Sequence, residues 1–322
     1  YTPAAILSCN PVTITDYRKL LMEIDGVRNA WLEPSRDNTF YYDKESDCFC
    51  NPLGDVIDKD CFHKIELNGL YHVFLEMEKE NGEEPTEERK IEILREVNDL
   101  LAAHRNLCED FEDVTILCTQ KIGLCADVEV YPGVDPDGVY AEIARRLRDF
   151  IAPSVRFYSL QTMLEKGKTI EEIYAGRPYL LNPDPSTKGK IKYKSYGFID
   201  TEELEQIPRR REIHISDLYT VIHEVEGVAT VRDLCLKGDD IENCNNPNDC
   251  IDQAIWRIHL LENCLPSLDV KDIEINLFSS GGRLTVNEAK IRRELGSYHK
   301  SRLGDPFLDS KPPLGLYRDD LS

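Results

Sequence analysis

The stretch Thr15-Asp16-Tyr17-Arg18-Lys19-Leu20-Leu21-Met22-Glu23-Ile24-Asp25-Gly26-Val27 carries a pattern that occurs twice in this chain, and its reading decides the fold. Tyr17, Leu20, Leu21 and Ile24 recur at i, i+3, i+4 and i+7, which places them on one apolar helix face. Thr15 is the expected N-cap, its hydroxyl accepting from a first-turn N–H, with Asp16 complementing the positive end of the helix dipole. Gly26 is expected at the helix end, where a left-handed residue is wanted, with Val27 closing the cap. Ala30-Trp31-Leu32 follows as a strand. The second copy runs from Ser216 to Val228, each residue 201 positions after its counterpart: Asp217 after Asp16, Gly227 after Gly26. Leu218, Val221, Ile222 and Val225 fall on the four apolar positions. That spacing is too long for a solenoid and points to two copies of a small module.

Between the copies, Tyr71, Val73, Leu75 and Met77 share one face of a strand over Leu70–Met77. An acidic loop, Glu78 to Glu84, leads to a helix over Pro85–His104, with Ile93, Leu94, Val97, Leu100 and Leu101 on its buried side. Val114–Cys118 reads as a strand. Leu124, Ala126, Val128 and Val130 alternate with Cys125, Asp127, Glu129 and Tyr131 as a half-buried strand. Asp135-Pro136 then caps and opens a helix carrying Val139, Ile143, Leu147, Phe150 and Ile151, which Pro153 stops. Val155–Tyr158 is short and β-like. The order β-α-β-β-α-β is that of a ferredoxin-like domain.

The expected fold class is therefore α+β, with several small modules: a ferredoxin-like β-α-β-β-α-β domain and a repeated helix-strand unit. The expected organisation is an N-terminal helix-strand module with a Cys-containing loop (1–65), the ferredoxin-like domain (66–158), a helical connector with a flexible loop (159–211), a second α/β module with a hairpin (212–298) and a tail or linker (299–322). The flexible part of the connector is Asn182–Lys194, rich in Pro, Ser, Gly and Lys. In the second module, Ile273–Phe278 and Arg283–Val286 form a hairpin through Ser279-Ser280-Gly281-Gly282, and Asn287 caps a final helix to Leu295.

The chain has 322 residues, 41% hydrophobic, enough to build real cores. Its formal net charge of −21 disfavours nucleic acid, which needs clustered Lys and Arg, and anionic membrane surfaces. The acidity serves solubility or meets a basic partner surface. No apolar run approaches the ~20 residues of a membrane span, and no secretory signal opens the sequence. The start on Tyr1 and the closing Pro312-Pro313-Leu314-Gly315 suggest a segment of something longer. The 11 cysteines are an odd set, and several, such as Cys118 after Val114 and Ile116, sit in apolar patterns. Most are expected to be reduced, small core residues in a protein folded in a cytoplasm.

Cys48, Cys50, Cys61 and His63 supply four soft donors for tetrahedral zinc, but paired zinc ligands usually stand two or more residues apart, so unligated loop residues are expected. Cys235, Cys244, Cys250 and Cys264 are spaced irregularly. Asp239, Asp240, Asn245, Asn246, Asn248 and Asp249 lack EF-hand spacing and read as a solvated acidic loop. His223 lies off the apolar stripe and is expected at the surface. There is no Gly-x-Ser-x-Gly elbow, P-loop or Gly-x-Gly-x-x-Gly. No catalytic, cofactor-binding or metal residues are assigned.

Several stretches, taken in order, resemble the baseplate J-like family, the wedge proteins of tailed-phage baseplates and related contractile injection systems. They are Thr15 to Leu32; Gly69-Leu70-Tyr71-His72-Val73 with its helix and Asn106-Leu107-Cys108-Glu109-Asp110-Phe111; Val134-Asp135-Pro136 through Pro153 and Phe157-Tyr158-Ser159-Leu160; and Gly197-Phe198-Ile199-Asp200 followed by Ile215-Ser216-Asp217-Leu218. Gly315-Leu316-Tyr317-Arg318-Asp319 looks like the start of a further family segment. The insertion from Cys48 to His63 and the Asp/Asn loop at 240–252 depart from the pattern. The resemblance implies a scaffold without catalysis, cofactor, nucleic acid or direct membrane insertion. It implies partners too: a second wedge subunit, the spike and hub, and sheath-initiator proteins, in a six-fold ring that changes shape at firing. It further implies assembly in a bacterial cytoplasm, in a particle either released or membrane-anchored. The alternative, by fold analogy, is a small-molecule or metal-binding regulatory module.

Overall fold

The structure is a computed structural model and describes residues 6–7, 9–35, 39–44, 46–50, 62–79, 84–177, 181–182, 192–193, 196–238, 257–268, 270–287 and 289–291. Outside them lie Cys61, the Asp/Asn loop with Cys244 and Cys250, most of the expected flexible connector, the end of the last helix and the 299–322 tail. In chain order the elements are α1 (Ile14–Met22), β1 (Val27–Pro34), β2 (Thr39–Asp43), β3 (Cys48–Cys50), β4 (Phe62–Glu66), β5 (Leu70–Met77), α2 (Glu87–Ala103), β6 (Asp110–Ile116), β7 (Cys118–Val130), α3 (Pro136–Ile151), α4 (Leu160–Glu165), α5 (Ile170–Tyr174), β8 (Leu181–Asn182) and β9 (Lys192–Tyr193). Then come α6 (Thr201–Glu205), β10 (Glu212–His214), α7 (Ile215–His223), β11 (Val228–Gly238), β12 (Arg257–His259), β13 (Cys264–Ser267), β14 (Ile273–Ser279) and β15 (Gly282–Arg283). Helix and small sheets are mixed, an α+β fold.

The chain forms two compact units, one of residues 1–116 with 170–194, the other of 117–169 with 195–322. In the first, β1, β5 and β6 form a sheet in that order, β1 antiparallel and β6 parallel to β5. The stripe expected from the sequence packs on it: Tyr17, Leu20 and Leu21 of α1, with Ile24 just past its end, meet Val27, Ala30 and Leu32 of β1, Val73 and Leu75 of β5, and Ile93, Val97 and Leu101 of α2, all buried. Burying one such side chain stabilises by roughly 1.5–3 kcal/mol. The polar side of α1 is used as well. Arg18 is only 7% exposed, and its Nε donates to the Ala30 carbonyl at 2.6 Å. A separate small sheet has the order β3-β2-β4.

In the second unit, β7 is the central strand. β11 pairs with it antiparallel, β14 parallel, and β13 parallel along its first residues. Ile122, Leu124, Ala126, Val128 and Val130 of β7 share one buried cluster with Val139, Ile143, Leu147 and Ile151 of α3, Leu218 and Ile222 of α7, and Val225 just past its end.

The two sheets repeat one plan: β1-β5-β6 and β11-β7-β14 share the sequence of antiparallel then parallel pairing. The register shift between Val27 and Asn29 has its counterpart between Val228 and Thr230. The chain order differs, since α1-β1 precedes β5-α2 whereas α7-β11 follows β7-α3. The duplication thus extends past the repeated stretch to a whole two-helix, three-stranded layer.

Several expectations are corrected. The β-α-β-β-α-β run over 66–158 does not close into one ferredoxin-like sheet. Only Leu117 separates β6 from β7, too little chain for the hairpin that fold needs, and the two strands enter different sheets. Val155–Tyr158 forms only an isolated bridge, Tyr158 with Phe198. The N-cap of α1 is Thr13, not Thr15: Thr13 Oγ1 accepts from Asp16 N–H at 3.1 Å and Asp16 Oδ2 accepts from Thr13 N–H at 2.9 Å, a capping box. The matching position in the second copy, His214, makes no side-chain cap, so the caps do not match. Both helices stop earlier than expected, at Met22 and His223. Gly26 and Gly227 instead occupy the third position of tight turns closed by Val27 N–H to Ile24 C=O at 3.2 Å and Val228 N–H to Val225 C=O at 3.1 Å. Their φ values of +91° and +96° are what that position requires. Cys118 is bonded to Cys264 as a disulfide between the paired strands β7 and β13, rather than being a reduced core thiol.

Candidate functional site

The residues singled out for zinc are not brought together where they are described. Cys48 pairs with Asp43 and His63 with Tyr42, on opposite sides of β2. Asp43 and Tyr42 are consecutive, so the strand pleat sends Cys48 and His63 to opposite faces. Cys48 Sγ lies 3.0 Å from Ser46 Oγ. Cys61 and the Cys50 side chain lie outside the description. Cys235 stands opposite Cys125 on β7, whereas Cys264 is the disulfide partner of Cys118. His223 is exposed, as expected. Among the described residues no cluster of three His, Cys, Asp or Glu could hold a metal, and no helix is long and apolar enough to cross a membrane.

Three polar clusters that the sequence did not disclose are brought together by the fold. The first joins α4 and α6. Tyr158 and Phe198 exchange backbone hydrogen bonds at 2.7 and 2.8 Å. Asp200, the N-cap of α6, has a side chain only 4% exposed and accepts from Lys166 Nζ at 2.8 Å, with Lys168 Nζ at 3.3 Å. Lys166 also reaches Glu203 at 2.6 Å and lies 4.3 Å over the Tyr158 ring, and Tyr158 Oη donates to Glu203 at 2.7 Å. Burial opposes the charges of both Lys166 and Asp200, but their mutual hydrogen bonds outweigh it: the ammonium is held above and the carboxyl below its ordinary range. Burial, then Glu203, pushes the Tyr158 phenol up. For Lys166, Asp200 and Tyr158 each shift runs away from neutrality, the reverse of the tuning that general acid–base catalysis uses. The cluster works as a clasp between two short helices. Its sequence signal is absent because Lys166 and Asp200 stand 34 residues apart.

The second cluster lies across β5 and β6: His72 Nε2 is 3.0 Å from Thr115 Oγ1 and 3.2 Å from Asp113 Oδ2. The residue types suggest a hydroxyl–imidazole–carboxylate triad, but the geometry does not. Hydroxyl and carboxylate approach the same ring nitrogen, whereas a triad needs the carboxylate on Nδ1 while Nε2 takes the proton. Thr115 Oγ1 moreover donates to Asp113 at 3.0 Å. The third is Glu212 of β10, 3.0 Å from His214 Nε2, 3.7 Å from His259 Nδ1 and 3.7 Å from Arg257. The contacts with Arg257 and His259 fasten β10 to β12 at the surface, while that with His214 lies within β10. In all three clusters the groups are committed to one another, which suits a protein that holds shape.

The match to a family model agrees with that character. The family model described as baseplate wedge Pvc12-like domain 3 matches residues 116–296, more than half of the chain. No curated protein matches. Among solved structures, a chain of the anti-feeding prophage (AFP) baseplate, determined by cryo-EM and 6-fold symmetrised, is similar at 16% identity with a TM-score of 0.48, over 93% of this chain and 46% of that one. The present chain therefore spans about half the length of that relative. On the family match, the chain belongs to the baseplate wedge Pvc12-like domain 3 family, a structural family of the baseplate wedge.

Proposed function

We propose that this chain acts as a non-catalytic scaffold in the wedge. It pairs with a second wedge subunit and contributes to a six-fold ring around the spike and hub, where it meets the sheath-initiating proteins. The particle is assembled in the bacterial cytoplasm. The family match over 116–296 carries the reading. The mutually satisfied polar clusters and the doubled sheet layer support it, because a ring that transmits force needs subunits that keep their shape. Deleting the gene and imaging purified particles tests the proposal. The expected result is loss of sheathed particles, with tube and spike proteins left unassembled, and co-purification of the intact chain with sheath and spike components. Normal particles after deletion, or a complex free of sheath and spike, would overturn it.

A further inference from the structure

Most arginines with a described ionic contact in this acidic chain have a carboxylate at short range: Arg28 with Glu76, Arg89 with Asp25 and Glu92, Arg145 with Glu142 and Asp149, Arg232 with Glu129. Arg210 does not. Its guanidinium carbon lies 4.0 Å from the centroid of the Phe150 ring at the end of α3, and its Nε is buried without a hydrogen-bond partner. Among the described residues no carboxylate forms an ion pair with it; Asp217 acts on it only through its field. Burial pushes its pKa down, which marks the cation as partly stripped of water.

The position is built rather than incidental. Ile207 is buried on one side of it, Ile213 fully buried on the other, and the Arg211 carbonyl accepts from Leu260 N–H at 2.9 Å, so the backbone that carries Arg210 is fixed. Phe150 packs against the core of this unit. An arginine held by an aromatic platform, partly desolvated and lacking an anion, presents its planar fork already oriented. That fork matches a carboxylate through two parallel hydrogen bonds, and such arginines are over-represented among the residues that dominate interfaces.

We propose that Arg210, seated on Phe150, is the anchor of an interaction surface for a carboxylate-bearing segment of a different protein in the baseplate. This rests on the wedge reading given above. Charge complementarity selects the occupant. A partly desolvated cation gains most from an anion that arrives with its own hydrogen-bond acceptors, and a lysine in its place would offer a point charge without the fork.

The test compares the free full-length chain with the chain in purified particles, using phenylglyoxal as an arginine probe read by peptide mass spectrometry. It is paired with R210E, R210K and the surface control R156Q. Arg210 is expected to react in the free chain and at least about tenfold more slowly in particles, the scale of losing a buried charge contact. R210E is expected to keep the wild-type melting curve yet enter particles at least about tenfold less, with R210K intermediate and R156Q unchanged. Equal labelling in both states, or R210E incorporated like wild type, overturns the proposal. Protection that nuclease removes assigns the site to nucleic acid and overturns it, and Arg210-dependent self-association of the free chain assigns it to a second copy and does the same. If R210E misfolds, R210Q replaces it in the same comparison. Particles that lack the chain altogether overturn the wedge reading itself, a result separable from normal incorporation of R210E.

Discussion

Gly26 and Gly227 show how single residues set the geometry of both layers. Each has positive φ, and a Cβ at Gly26 would come 2.6 Å from Ile93 Cδ1, while one at Gly227 would come 2.9 Å from Val134 Cγ1 and 3.1 Å from Val139 Cγ2. Gly26→Ala and Gly227→Ala are each expected to destabilise by about 1–3 kcal/mol, from backbone strain plus repacking. Gly227 should cost at least as much, because its neighbours are β-branched and stiff where the Ile93 tip can swing away. Urea midpoints of the two variants check this, and two unchanged midpoints would remove the turn argument. Glu142 gives a second test. Its carboxyl sits between Arg145 at 2.6 Å and Arg146 at 2.8 Å. The hydrogen bond from Arg145, opposed by partial burial and helped by Arg146, lowers its pKa from 4.5 to about 2. A folded-state pKa below the unfolded value contributes stability that is present above about pH 4.5 and lost as pH falls toward 2. Since the side chain is 35% exposed, screening keeps the contribution under about 1 kcal/mol. Glu142→Gln should therefore be slightly less stable than wild type at pH 7 and converge with it near pH 2, as read from melting curves across that range.

At the scale of elements, the helices were legible in the sequence and the sheet partners were not. The 3.6-residue stripes of α1, α2, α3 and α7 are local patterns, and their apolar members lie mainly in the two cores. The pairing of β7 with β14 links residues about 150 apart and leaves no local trace, so consecutive elements were joined into a ferredoxin-like order that the single residue Leu117 cannot turn. The pairing of Cys118 with Cys264, 146 residues apart, is equally silent, because spacing alone does not reveal connectivity. Nor did any pattern expose the Lys166–Asp200 clasp or Arg210, whose partners converge only in three dimensions. The disulfide yields a prediction for the element it holds. β13 is a four-residue strand lying against the start of β7, and closing so long a loop should stabilise the oxidised form by about 2–5 kcal/mol. Reductant should lower the wild-type melting temperature to that of Cys264→Ser and leave the variant unmoved. Full alkylation of Cys118 and Cys264 in unreduced protein would refute the bond.

For the whole molecule, the decisive fact is that the two compact units are interleaved in sequence. Residues 170–194 leave the second unit and join the first, before the chain returns at 195. That excursion is fastened by particular atoms. Arg177 Nη2 lies 3.2 Å from Glu23 Oε1, and the Arg177 carbonyl accepts from Cys9 N–H at 3.1 Å. Glu23 is 7% exposed, so removing this cation weakens a buried charge pair, a change that costs up to about 3–5 kcal/mol in comparable pairs. Arg177→Met keeps the stem and removes the charge. It should destabilise the chain by that order, and combining it with Glu23→Gln should cost less than the sum of the single changes, by at least about 1 kcal/mol of coupling. Because each unit has its own apolar core, the damage should also be regional. Hydrogen exchange should accelerate in α1, β1 and β5 of Arg177→Met while β7, α3 and β14 keep their protection, and Cys264→Ser should show the reverse. Acceleration spread evenly over both units in both variants would mean that the two cores unfold as one and that the 170–194 excursion is not a local fastening.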